Sequence, residues 1–188
     1  MQNSILKKII IFTLIGLSVL AIYFGSYLPF NKAQEYIYFT SSLNQISTLE
    51  QFKELGNGVI RFYSPVGQEE VVRFISRDIV NMIRNPNQKQ QIADELVKFI
   101  EPNINKRNER HLLTMGEMYS VVWDRYRNED YYVKAIFYYT EALKIGSNLP
   151  PVLYPLFDLY RIHGDSEKAT EIKNKILTLW PEEKRISQ

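Results

Sequence analysis

Cysteine is absent from the 188 residues. Its absence excludes disulfides, thiolate metal sites, cysteine nucleophiles and lipid attachment at cysteine. Histidine is nearly absent: His111 and His163 stand 52 residues apart. A zinc or iron centre would have to draw most of its ligands from carboxylates, so no metal site is expected. No phosphate-binding glycine loop, dinucleotide-binding glycine pattern, His-Glu-x-x-His or Gly-x-Ser-x-Gly occurs. Neighbouring acids such as Glu69-Glu70 and Glu182-Glu183 point apart on a helix and suit solvent better than acid–base chemistry. These absences predict no catalytic residue, no cofactor and a protein that is not an enzyme.

An excess of one charge is lacking too. The 23 Lys and Arg nearly balance the 21 Asp and Glu, and Lys7 and Lys8 precede the first acid. Beyond those two lysines, bases and acids are equal at 21 each. A neutral domain lacks the positive footprint that supplies most nucleic-acid affinity, so no nucleic-acid partner is expected. Leu, Ile, Val, Phe and Tyr remain plentiful enough to bury a core.

Residues 9–28 read IIIFTLIGLSVLAIYFGSYL, twenty positions without a charge. As a helix they span about 30 Å, the thickness of the hydrocarbon layer. Tyr23 and Tyr27 lie near the far end, where amphipathic rings favour the interface, and Pro29 closes the run. A cleaved signal peptide would have a shorter apolar core with small residues before the cut. Gly25 and Ser26 are small, but Tyr23 and Phe24 occupy the positions two before them. An uncleaved anchor in the inner or plasma membrane is therefore expected. Lys7, Lys8 and the amino terminus flank one end, while only Lys32 and Glu35 lie close beyond the other. The positive-inside rule then places segment 1–8 in the cytoplasm and the remainder outside it.

After the anchor the pattern is helical. Residues 31–43 form a predicted helix capped by Asn31, and Ser47 opens a second that Gly56 and Gly58 stop. Residues 59–65 read as a connector. Residues 67–84 carry an apolar stripe of Val71, Ile75, Ile79 and Met82. Asn85 and Pro86 suit the start of the next helix, and Pro102 ends it. Four more helices are predicted over 106–127, 130–145, 151–162 and 166–179. Trp123, Trp180 and the tyrosines Tyr131, Tyr132, Tyr138 and Tyr139 are expected to serve mainly in packing.

An offset of 34 aligns 116–149 with 150–183 and gives six identities: Asp124/Asp158, Tyr126/Tyr160, Arg127/Arg161, Lys134/Lys168, Ala135/Ala169 and Leu143/Leu177. About two would arise by chance at ordinary residue frequencies. Leu153, Leu156, Phe157 and Tyr160 occupy one predicted helix, Gly164-Asp165 the turn, Ala169 the next helix, and Pro181 closes the unit. The preceding copy offers Tyr119, Val122, Trp123, Tyr126, Ala135, Tyr139 and Ala142. This pattern resembles the tetratricopeptide family, whose 34-residue repeat is a pair of antiparallel helices. It departs from the family where Trp123 and Phe157 replace glycine and Lys173 replaces an aromatic.

The resemblance implies an all-α chain: a single transmembrane helix, then a superhelical stack of about three helical hairpins. Residues 29–66 would form short membrane-proximal helices, 67–102 a degenerate hairpin, and 103–188 the two repeats. It also implies an envelope scaffold or adaptor that binds a protein or peptide. Its groove would carry Asp124, Arg127, Asp158 and Arg161; each Asp and Arg stand three apart on one helix face, which suits either two intrahelical ion pairs or two arginines receiving carboxylates or carbonyls of an extended partner. A weaker resemblance rests on Pro29-Phe30-Asn31-Lys32-Ala33 and Ser64-Pro65-Val66-Gly67-Gln68-Glu69 after a single span. These look like the extracytoplasmic tail of bacterial O-antigen ligase-like membrane proteins, which would imply an accessory role in envelope glycan assembly. The orientation is testable: a phosphatase fused to the C-terminus should be active only when exported, and activity confined to the cytoplasm refutes it.

Overall fold

The computed structural model describes the backbone of residues 2–183 and 186. Met1 of segment 1–8, and residues 184, 185, 187 and 188 of segment 103–188, lie outside the described residues. Every regular element is helical, and no strand occurs among the described residues. We label the α-helices α1 (Gln2–Ile22), α2 (Leu28–Ser42), α3 (Leu49–Arg61), α4 (Gln68–Arg84), α5 (Gln90–Ile100), α6 (Glu109–Tyr126), α7 (Glu129–Ile145), α8 (Pro150–His163) and α9 (Ser166–Leu179). The chain forms two compact units, Met1–Val72 and Arg73–Gln188, which divide inside α4.

In the first unit, one helical run over Ile5–Gln45 is long and apolar enough to cross a membrane. Pro29 does not end it. A proline lacks the N–H that an α-helix needs and crowds the carbonyl four residues back. Here a π-helical turn, Tyr23–Tyr27, absorbs the conflict: the Leu28 N–H donates to Tyr23 O, five residues back, and α2 starts with Pro29 in its first turn. Asn31 is accordingly no N-cap; its Nδ2 donates to Tyr27 O at 2.7 Å.

The second departure lies in α3. Thr48, not Ser47, caps it, and its side chain accepts from the Gln51 N–H. The helix then runs through Gly56 and Gly58 to Arg61. Each helical glycine costs about 1 kcal/mol relative to alanine. Burying Val59 and Ile60, each worth about 1.5–3 kcal/mol, offsets that cost.

The end of α3 is held by a lysine from α2. Lys32 is 1% exposed. Its Nζ donates to Val59 O at 2.6 Å, Phe62 O at 2.7 Å and Gln68 Oε1 at 2.7 Å, and Ile60 O, which accepts from Gln68 Nε2 at 2.6 Å, lies 3.3 Å away. The ammonium thus serves as a helix cap supplied from another helix, meeting carbonyls that have no partner within α3. Phe39 of α2 meets Phe52 of α3 edge-on at 5.4 Å and completes the contact.

In the second unit, α5 begins at Gln90 and not at Pro86. The Asn85 side chain instead accepts from the Asn87 N–H in a tight turn. Arg125 of α6 fixes that turn: its guanidinium donates to Ile83 O at 2.9 Å, to Gln88 O at 3.1 Å, and to the carbonyls of Asn85 and Pro86. Tyr126 adds a bond to Gln88 O at 2.8 Å.

Helices α6 and α7 pair antiparallel, since Gly116 meets Tyr139 while Trp123, further along α6, meets Tyr132. Helices α8 and α9 pair likewise, through Tyr160 with Lys168 and Tyr154 with Trp180. Gly164, with φ +99°, makes the turn between them, a conformation costly for other residues. The expected packing residues Tyr119, Trp123, Ala135, Ala142, Leu156, Tyr160 and Ala169 are buried. Tyr126 and Phe157 are only half-buried, and Pro181 is exposed in a turn beyond α9. Phe157 sits beside, not on, the buried stripe of Val152, Leu156, Leu159 and Tyr160.

Lys32 supplies a test. Burial pushes its pKa down from 10.5 to about 8. Between those values the unfolded chain holds a proton that the folded chain releases, so stability should rise with pH across that window. Lys32→Met should abolish the rise and destabilise the first unit by about 1–3 kcal/mol for each carbonyl left buried and unpaired, read by thermal melting at each pH. An unchanged melting temperature would contradict the clamp.

Candidate functional site

A groove of about 670 Å³ runs between α6 and α8. Its apolar surface comes from Leu113, Val121, Trp123, Pro155, Leu159 and Ile162. Amphipathic spacing explains the placement. Val122, Trp123, Leu156 and Tyr160 turn into the core, which leaves Val121, Asp124, Asp158 and Ile162 on the adjacent faces. Ile162 is 49% exposed and adds to the apolar lining formed by Val121, Pro155 and Leu159.

The four residues singled out in the repeat divide here. Asp124 and Asp158 line the groove; Arg127 and Arg161 do not. Each arginine bonds its own aspartate, Arg127 to Asp124 at 2.7 Å and Arg161 to Asp158 at 3.0 Å. Arg127 ends α6 in the left-handed conformation, φ +53°, with its guanidinium 4.8 Å from the Trp123 ring centre. That contact draws its charge toward Trp123. The groove lining therefore presents the acids of both pairs. Arg84 and Glu117 form a further ion pair on the lining at 2.7 Å.

Behind the groove an aromatic seam joins α6 to α7. Tyr119 and Tyr138 stack at 5.6 Å with 8° between planes, and Lys134 lies 4.9 Å from the Tyr119 ring centre. Glu101 accepts from Tyr138 Oη at 2.6 Å and from Lys134 Nζ at 3.2 Å. Burial alone would raise the Glu101 pKa, but the bonds from Tyr138 and Tyr119 and the charge of Lys134 outweigh it and hold the carboxyl below its ordinary value. At the start of α7, Tyr132 stacks on His163 at 3.7 Å and donates to Asp165. His163 Nε2 lies 2.9 Å from Glu129. The hydrogen bond from Tyr132 holds the Asp165 carboxyl below its ordinary value.

The glycine of close approach is Gly116. A Cβ there would lie 2.6 Å from Tyr139 Cδ1. Contacts do not follow the offset one for one: Lys134 rests on Tyr119, whereas Lys168 rests on Tyr160, 41 residues later. No cluster of His, Cys, Asp and Glu able to hold a metal occurs among the described residues. Three arginines that sequence reasoning missed, Arg73, Arg77 and Arg110, meet in a second cavity of about 410 Å³. They come from two helices, and no spacing rule connects them.

Compared with known families, characterised proteins and solved structures, the chain finds no match.

Tyr139 both lines the groove and packs on Gly116. Gly116→Ala should therefore force that ring to shift and cost about 1–3 kcal/mol. Gly58→Ala, on an exposed helical site with open space around the added Cβ, should instead stabilise by about 0.5–1 kcal/mol. Calorimetry of both variants checks the pair, and a neutral Gly116→Ala would refute the close approach.

Proposed function

We propose that the chain is a single-pass, membrane-anchored scaffold of tetratricopeptide-like repeats that holds an extended segment of a partner protein between α6 and α8. In this reading residues 9–28 are the anchor, the N-terminus is cytoplasmic and the helical part lies outside the cytoplasm. Helices α6 and α7 form one close pair and α8 and α9 the next, while α4 and α5 stand in the place of a degenerate first unit without packing closely on each other. A solenoid needs about three such units before its interior is covered.

The observation that carries this reading is the groove itself. Its walls are the first helices of two successive pairs, its surface is apolar, and Ile162 stands exposed within it. Such a concave apolar strip with charged rims suits an extended peptide, whose alternate side chains enter while its other face stays in water.

Photo-crosslinking in the intact membrane tests the groove. A photoreactive phenylalanine in place of Val121 or Ile162 should yield a discrete protein adduct, and the same group in place of Lys144 on α7 should not. Ile162→Glu should lower the adduct at position 121 roughly tenfold, the effect of removing one central apolar contact worth more than 1 kcal/mol. Equal adducts at all three positions would refute the groove as the binding surface.

A further inference from the structure

The groove changes sign along its length. At the N-terminal ends of α6 and α8 it opens into the second cavity, with which it shares Leu113, Glu117 and Pro151. That cavity is lined by Arg73, Arg77 and Arg110, and none of the three is in an ion pair among the described residues. The guanidinium of Arg73 lies 5.1 Å from the Phe74 ring centre, and its Nε is buried with no hydrogen-bond partner. Of the two acids in this lining, Glu117 is already bonded to Arg84, which leaves Glu109 against three arginines. The N-terminal ends of α6 and α8 add partial positive charge at the same end. At the other end, toward the C-termini of both helices, stand Asp124 and Asp158.

We propose, resting on the groove reading above, that the partner segment is bipolar and lies in one direction. Its carboxylates sit among Arg73, Arg77 and Arg110, its apolar residues on Leu113, Val121 and Leu159, and its basic residues beside Asp124 and Asp158. Arginine forks receive carboxylates with paired bonds. A singly charged carboxylate suits this end better than a phosphate dianion, because Glu109 and Glu117 border it. From Arg110 to Asp124 the groove follows fourteen residues of α6, about 21 Å, which about six or seven extended residues span.

Fluorescence anisotropy with the full chain in detergent micelles tests the direction. One labelled probe is a blocked octapeptide, Glu-Glu-Leu-Tyr-Leu-Pro-Lys-Lys; the other, Glu-Lys-Leu-Tyr-Leu-Pro-Glu-Lys, has the same composition in an order that puts one acid and one base at each end. The first should bind at least tenfold more tightly. Arg77→Gln with Arg110→Gln should remove that preference and weaken the first probe at least tenfold. Both arginines are exposed, so the double variant should melt like the parent; should it not, Arg110→Glu alone must show the same loss. Equal binding of the two orders overturns the direction while leaving the groove reading intact. Binding of neither overturns both. Displacement of the probe by inorganic phosphate at lower concentration than by acetate would assign the arginines to phosphate and overturn the carboxylate.

Discussion

The second unit depends on how closely α6 approaches α7, and a hydrogen atom sets that distance. With no side chain at Gly116, the Tyr139 ring lies against the α6 backbone. The tyrosines on either side can then stack, Lys134 can rest on Tyr119, and Glu101 can gather Tyr138 and Lys134 around one carboxylate. The groove is the reverse side of this seam. Trp123 and Tyr139 contribute to both, so the groove inherits its shape from packing within the pair.

Two helix connections are stabilised by cations from elsewhere in the chain. Lys32 meets the carbonyls that close α3, and Arg125 meets those of the turn after α4. A carbonyl at a helix end needs a donor, and local sequence usually supplies glycine or a short polar side chain. Here the donor is a long side chain from another helix, so each connection exists only once the tertiary contact has formed.

The legibility of the fold follows from this. Helices α6 to α9 were readable because their apolar spacing is regular and their caps, such as Asn108, Asn128 and Gly164, are local. Pro29, Gly56, Gly58 and the Asn85-Pro86 pair misled because local punctuation predicts a break where a distant group removes its cause. The π turn relieves Pro29, Lys32 holds the end of α3, and Arg125 holds the turn that delays α5. In the site, the Asp124–Arg127 and Asp158–Arg161 pairs were legible because residues three apart share a helix face. That the aspartates would line the groove and the arginines would not depends on Trp123 and on the left-handed end of α6. Arg73, Arg77 and Arg110 became a group only through folding.

The helix that continues past Pro29 has a mechanical consequence. A chain that broke there would swivel, and twisting the apolar half would leave the polar half at rest. A hydrogen-bonded rod about 60 Å long transmits torque instead. Rotation of residues 9–28 about their axis would turn α2 by the same angle, and α3, bound through Lys32, would swing with it like a vane on a shaft.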